Sequence, residues 1–238
     1  MTSERAHDFK FFVYIVESPS AADIYHGRSE GYLVSNAVRL DGIPSVTRTA
    51  INAEAFGASL RFGLPEAMKL HPDLTPILHL SAHGSTEGIQ LSSGETLTWE
   101  DLKMLLIPIN TSLGNMLVLC MSACDGYSAC RMAKQEADGP HPYFAMVGSY
   151  AKPTWADTAV AYSAFYHRVS KGHTLSDALQ GMKAASGDDS WILETAEESK
   201  RSFLEYLSAH NLSEARQELE AAASEGTLSP NAKALELG

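Results

Sequence analysis

The stretch NMLVLCMSAC at 115–124 constrains the fold more than any other part of the chain. It is apolar almost without interruption, so both faces of the strand it forms must be covered, as in the centre of a parallel sheet. FFVYIVE at 11–17, PILHLSAHG at 76–84 and PYFAMVGSY at 142–150 have the same character. Helical patterns fall between and after these strands, most clearly at 155–172 and 174–186. Alternating apolar strands and helices predict a three-layer α/β sandwich with a mainly parallel central sheet. No glycine-rich phosphate loop opens a helix in this order, which leaves a nucleotide-binding fold with little support.

The finer pattern is uneven. YLVSNAVRL at 32–40 reads as a strand or a short helix, and SVTRTAI at 45–51 as a β-branched strand. Residues 52–70 have helical spacing interrupted by Gly57, Gly63 and Pro65, giving one broken helix or two short ones. GIQLSSGETLTWEDL reads as a hairpin leading into a helix capped by Thr98, with Asp101 in the capping-box position, running to about Leu106 before Pro108. DGYSACRMAKQEA at 125–137 predicts a helix. Thr174 and Asp177 repeat the cap pattern. After Gly187 acidic residues dominate, which divides the chain into a domain over 1–187 and an acidic C-terminal segment over 188–238. Two polar helices over 190–224 are expected there, as a subdomain packed on the core or a partner-docking element.

The 238 residues are 45% hydrophobic and 20% charged, a globular composition. A net charge of -11 argues against a general nucleic-acid binder and against anionic membranes. FFVYIV is too short to span a bilayer and no signal-cleavage pattern follows it, so cytoplasmic residence is the default. Cys120, Cys124 and Cys130 are too few and too close for a disulfide scaffold, and with His141 they match no common zinc spacing. No metal or cofactor is expected.

His83 and Cys124 hold equivalent positions, each at the carboxyl end of an apolar strand and each followed by small or turn residues. Sites in open α/β sheets form outside these strand ends. Adjacent parallel strands would bring imidazole and thiol to one edge, with His83 as base and Cys124 as nucleophile forming an acyl-thioester. Backbone N–H groups of Gly84 and Cys124 are the natural oxyanion donors. No third member stands out. Cys120, inside its strand, and Cys130 read as packing residues, His79 as a core or orienting histidine, and His141, His167 and His173 as non-catalytic.

HLSAHG at 79–84, LCMSACDG at 119–126 and the segment from Phe144 to Ala185 together resemble the caspase-like cysteine peptidases, within them the bacterial CHAT-type branch related to caspases and separase. The resemblance covers roughly residues 11–186. It implies a caspase-haemoglobinase-like fold, with the family histidine and cysteine at His83 and Cys124 and the following glycine at Gly84. It also implies activation by a partner, a ligand or proteolysis, and a place in bacterial stress, defence or programmed-death systems. Relatives selective for basic P1 residues often carry Asp two positions before the cysteine, where this chain has Ser122. Asp125 and Asp157 remain acidic candidates for substrate binding, Asp157 competing with a helix-start role, and Trp155 lines the cleft or packs.

The function expected is a cysteine endopeptidase acting on protein or peptide substrates, with an activating partner docked on the C-terminal segment. The alternatives are a catalytically quiet caspase-like binding module, and an acyltransferase or amidase using the same dyad.

Overall fold

In the computed structural model, residues 9–134 and 139–224 are described. Their strands are β1 (Phe11–Ser18), β2 (Ser45–Thr49), β3 (Thr75–Gly84), β4 (Gly88–Gln90), β5 (Thr96–Thr98), β6 (Val118–Ser122), β7 (Ala145–Ser149) and β8 (Trp191–Thr195). Helices are α1 (Ala21–Tyr25), α2 (Glu30–Leu40), α3 (Ala53–Ala58), α4 (Leu64–Leu70), α5 (Trp99–Ser112), α6 (Trp155–Ser170), α7 (Leu175–Ser186) and α8 (Ala196–Ser224). The main sheet runs β2-β1-β3-β6-β7-β8, and a small hairpin of β4 and β5 hangs from the end of β3. All main-sheet pairings are parallel except β7 with β8.

Side-chain alternation along the strands builds two cores, because successive residues of a strand point to opposite faces. Val13, Ile15, Ile77, Val118 and Val147 meet α2, α6 and α7 through Val34, Phe165 and Met182. Phe12, Tyr14, Leu78, Leu119 and Met146 face the other way, onto α3, α4 and α5. Helices on both faces of a mainly parallel sheet make the three-layer sandwich that the apolar strands predict.

Several elements depart from expectation. Residues 32–40 fall in helix α2, whose Val34 and Val38 are buried, which settles the strand-or-helix ambiguity. Residues 53–70 form one helical run with a π-helical segment over Ser59–Gly63, where the Tyr14 hydroxyl donates to the Ser59 carbonyl at 2.6 Å. α5 does not stop before Pro108: it continues to Ser112, with Pro108 on the exposed side and Leu106 and Asn110 buried on the other. That burial offsets the lost backbone hydrogen bond. After β6 the chain forms 3₁₀ turns over Gly126–Ala133 instead of an α-helix, and residues 135–137 of the expected helix lie outside the described residues.

The composition break at residue 187 falls at the C-cap of α7, ahead of the last strand of the sheet. Trp191–Thr195 pairs antiparallel with β7, and Trp191 is fully buried against Tyr162. The sheet face supplies a partner for this indole that acidic flanking sequence does not foreshadow. One helix, α8, follows where two were expected. Among the described residues no helix is long and apolar enough to cross a membrane.

Candidate active site

The register between β3 and β6 sets the site. Ile77 lies opposite Val118, His79 opposite Cys120, and Ser81 opposite Ser122. Two residues further on, His83 is still in β3 and Cys124 has just passed the end of β6. Both therefore lie at the carboxyl edge of the sheet.

Each strand end is shaped by its neighbours. Gly84 abuts Cys124 so closely that a Cβ on it would collide with the Cys124 carbonyl oxygen and lie 2.8 Å from the Ala123 Cβ. Glycine is what lets the backbones of these two strand ends touch. Directly after Cys124 the chain turns through Asp125, which takes a left-handed conformation at φ 53°. The Asp125 N–H donates to Ala151 O at 2.9 Å and the Gly126 N–H to Ala123 O at 3.1 Å. Both bonds tie down the turn that presents Cys124.

His83 has a carboxylate partner that sequence reasoning missed. Asp23 Oδ2 lies 3.0 Å from His83 Nε2. Asp23 sits in α1, directly after β1, and the same carboxylate closes a capping box with Ser20, accepting from its hydroxyl at 2.6 Å and its backbone N–H at 3.3 Å. Burial acts to raise the Asp23 carboxyl pKa, but the hydrogen bonds from Ser20 and His83 outweigh it and hold the group below its ordinary value. An ionised Asp23 can only accept, so it fixes the imidazole proton on Nε2 and leaves the Nδ1 lone pair available. The Ser-x-x-Asp pattern after a first apolar strand was the legible signal, since it places a capping carboxylate at the same sheet edge as His83.

Cys124 is half-buried, while Cys120 and Cys130 are buried. Burial pushes the Cys124 thiol above its ordinary pKa, with the Asp125 carboxylate adding to the rise and Lys152 opposing it. Lys152 Nζ stands 3.9 Å from Asp125 Oδ2. Burial pushes Cys120 further, to about 12, which leaves it a packing residue.

The indole of Trp155 meets the His83 ring edge-on, with centroids 5.4 Å apart. Trp155, His83 and Cys124 line one cavity of about 230 Å³, together with Ala82, Ala123, Pro153, Thr154 and Thr158. Asp157 is not on that lining. It closes the α6 capping box, accepting from the Thr154 hydroxyl at 2.7 Å and N–H at 3.0 Å. Asp125 is also off the lining, turned towards Lys152.

Below the cavity lies a second polar group of residues that the sequence did not reveal. Glu30, at the start of α2, approaches His79 Nε2 at 3.1 Å and accepts from Ser122 Oγ at 3.1 Å. His79 Nδ1 lies 2.9 Å from the Tyr166 hydroxyl. Glu30 thus bridges β3 and β6, four residues before His83 and two before Cys124. Among the described residues no three His, Cys, Asp or Glu side chains converge as a metal site.

No protein-family model matches the chain, and no curated protein does either. Solved structures do. The Arg-specific cysteine proteinase gingipain R superposes with a TM-score of 0.50 at 13% identity, over 81% of this chain and 48% of that one. A complex of the pro- and mature domains of RgpB from Porphyromonas gingivalis gives 0.48 at 13% identity, over 81% of this chain and 49% of that one. The chain thus spans about half the length of these neighbours. The fold is the caspase-like one, a mostly parallel sheet flanked by helices.

Proposed function

We propose that the chain is a cysteine endopeptidase of the caspase-like type, in its CHAT branch, with Cys124 as nucleophile, His83 as general base and acid, and Asp23 as the group that orients His83. The observation that carries this reading is the shared cavity of His83 and Cys124, with the Asp23 carboxylate 3.0 Å from the imidazole. The fold likeness supports a peptidase scaffold and no particular substrate.

The chemistry runs as follows. With its pKa raised, Cys124 rests as a thiol, so proton transfer to His83 Nδ1 accompanies attack and no standing ion pair is needed. Sγ bonds to the carbonyl carbon, and the electron pair moves onto oxygen. The backbone N–H groups of Gly84 and Cys124 are the candidates to hold that oxyanion. The imidazolium, stabilised by Asp23, returns its proton to the leaving amine as the C–N bond breaks. Water then attacks the acyl-thioester with His83 again as base, releasing the acid and the thiol. Trp155 forms a wall of the substrate cleft. Asp157 caps α6 and Asp125 modulates the thiol, and neither lines the cavity.

The test is cleavage of a peptide library by wild type and Cys124→Ala. Product formation lost in the variant supports the reading, and cleavage unchanged in the variant overturns it. One feature favours a second reading, a quiet binding module: α8 carries Leu204 and Tyr206 exposed, a surface suited to an activating or recruited protein in the cytoplasm. Failure of a thiol-reactive peptide probe to label Cys124 with that partner bound would select it. Transfer of the acyl group to an added amine in preference to water would select the acyltransferase alternative.

A further inference from the structure

We propose that the cavity beside Cys124 receives a neutral, apolar side chain of leucine to phenylalanine size, on the acyl side of the scissile bond. This rests on the peptidase reading above and adds a substrate class to it.

The walls are Ala82, Ala123, Pro153, Thr154, Trp155 and Thr158, with His83 and Cys124 at the mouth. None of the described residues on that lining is Asp, Glu, Lys or Arg. Its two threonines are committed elsewhere. The Thr158 hydroxyl donates to Trp155 O at 3.0 Å and the Thr154 hydroxyl to Asp157 at 2.7 Å. The wall is therefore methyl, pyrrolidine and indole surface. An apolar cavity of about 150 Å³ holds a benzene ring, so about 230 Å³ admits a phenyl side chain.

A basic side chain needs a carboxylate, and each one near the cavity is already engaged. Asp23 holds His83 and Ser20. Asp157 caps α6 and Asp125 faces Lys152. Glu30, its side chain 1% exposed, is bound to His79 and Ser122. An acidic side chain fares no better. Of the cations near the cavity, Lys152 points into solvent with 75% of its side chain exposed, and Arg28, also exposed, pairs with Asp23 at 3.8 Å. A charge placed in this cavity would lose its hydration without gaining a partner.

The experiment compares four tripeptidyl acyloxymethyl ketones, alike except for Leu, Phe, Arg or Asp beside the ketone, on the full chain. The Cys124 sulfur bonds to the ketone's methylene carbon as the acyloxy group leaves as carboxylate, and the thiol proton passes to His83. Labelling rates are read by intact mass. The expected result is labelling by the Leu and Phe probes at least about 100-fold faster than by Arg or Asp, the scale at which a pocket discriminates by unmet polar groups and fit. A fastest rate with Arg or Asp, or equal rates with all four, overturns the inference and leaves the peptidase reading standing. Labelling by none of the four, while iodoacetamide still alkylates Cys124, overturns that reading and this inference together.

Discussion

Glu30→Ala is the sharpest probe of how the site is underpinned. The Glu30 side chain is 1% exposed, and its two oxygens meet His79 Nε2 and Ser122 Oγ, both at 3.1 Å. Alanine leaves two buried polar groups without their partner. Each such group costs about 1–3 kcal/mol, so the loss is about 2–6 kcal/mol. For a domain of roughly 150–250 residues, 1 kcal/mol moves Tm by about 2–4 °C. A fall of about 5–20 °C is therefore expected, read by calorimetry and by urea unfolding followed in the far-UV. Glu30→Gln should lose less than half of that. Its amide oxygen still accepts from Ser122, and its N–H donates to His79 Nε2 once the imidazole proton moves to Nδ1. A Tm for Glu30→Ala within about 2 °C of wild type, equivalent to at most about 1 kcal/mol, would refute the reasoning. So would a glutamine variant as unstable as the alanine one.

Asp23→Asn should lower kcat/KM on the order of 10²-fold, the lower end of what positioned acid–base groups contribute. Its stability effect has a definite pH sense. The Asp23 carboxyl is depressed in the folded state, where its hydrogen bonds outweigh burial, so its stabilisation is complete above the unfolded value and disappears as pH falls through the folded one. Denaturation of wild type and Asn variant should thus differ near neutrality and converge in acid, and a gap that persists there counts against the assignment. Because burial raises the Cys124 thiol, iodoacetamide alkylation should be slow at neutral pH and keep rising beyond about pH 8.5, the ordinary thiol value. Lys152→Gln should move that rise to still higher pH, and a limb centred below neutrality would contradict the burial argument. Gly84→Ala places a methyl group against the Cys124 carbonyl and 2.8 Å from Ala123 Cβ, so peptide-probe labelling should be lost, and undiminished labelling would mean the strand ends can part without consequence.

The central strands were legible because a strand buried on both faces has to be apolar throughout, and that requirement also marks where each strand ends. His83 and Cys124 are visible for the same reason: they are reactive groups at the carboxyl ends of those strands, His83 next to last in β3 and Cys124 two residues past β6. β8 was hidden because it is an edge strand of five residues, with only Trp191 buried and an acidic helix following. Composition there reports solvent, not the sheet that accepts the indole. Pro108 misled in the opposite direction, since the tertiary burial of Leu106 and Asn110 is invisible locally. Asp23 and Glu30 lie in the first turns of α1 and α2 and drew no functional reading from the sequence. Each also holds a histidine many positions away, at separations of 60 and 49 residues, which local spacing does not encode.

α1 has five residues, too few to remain helical in water without tertiary support. One carboxylate closes its cap and steadies His83, so the helix and the imidazole share a single equilibrium. On the proposed mechanism, catalytic competence would scale with the fraction of molecules in which α1 is wound. Fraying this turn would then throttle the rate while the sheet, both cores and Cys124 stay in place. Thermal activity loss should therefore precede the main unfolding transition, and anything that clasps residues 20–26 from outside turns the rate up without touching the cleft.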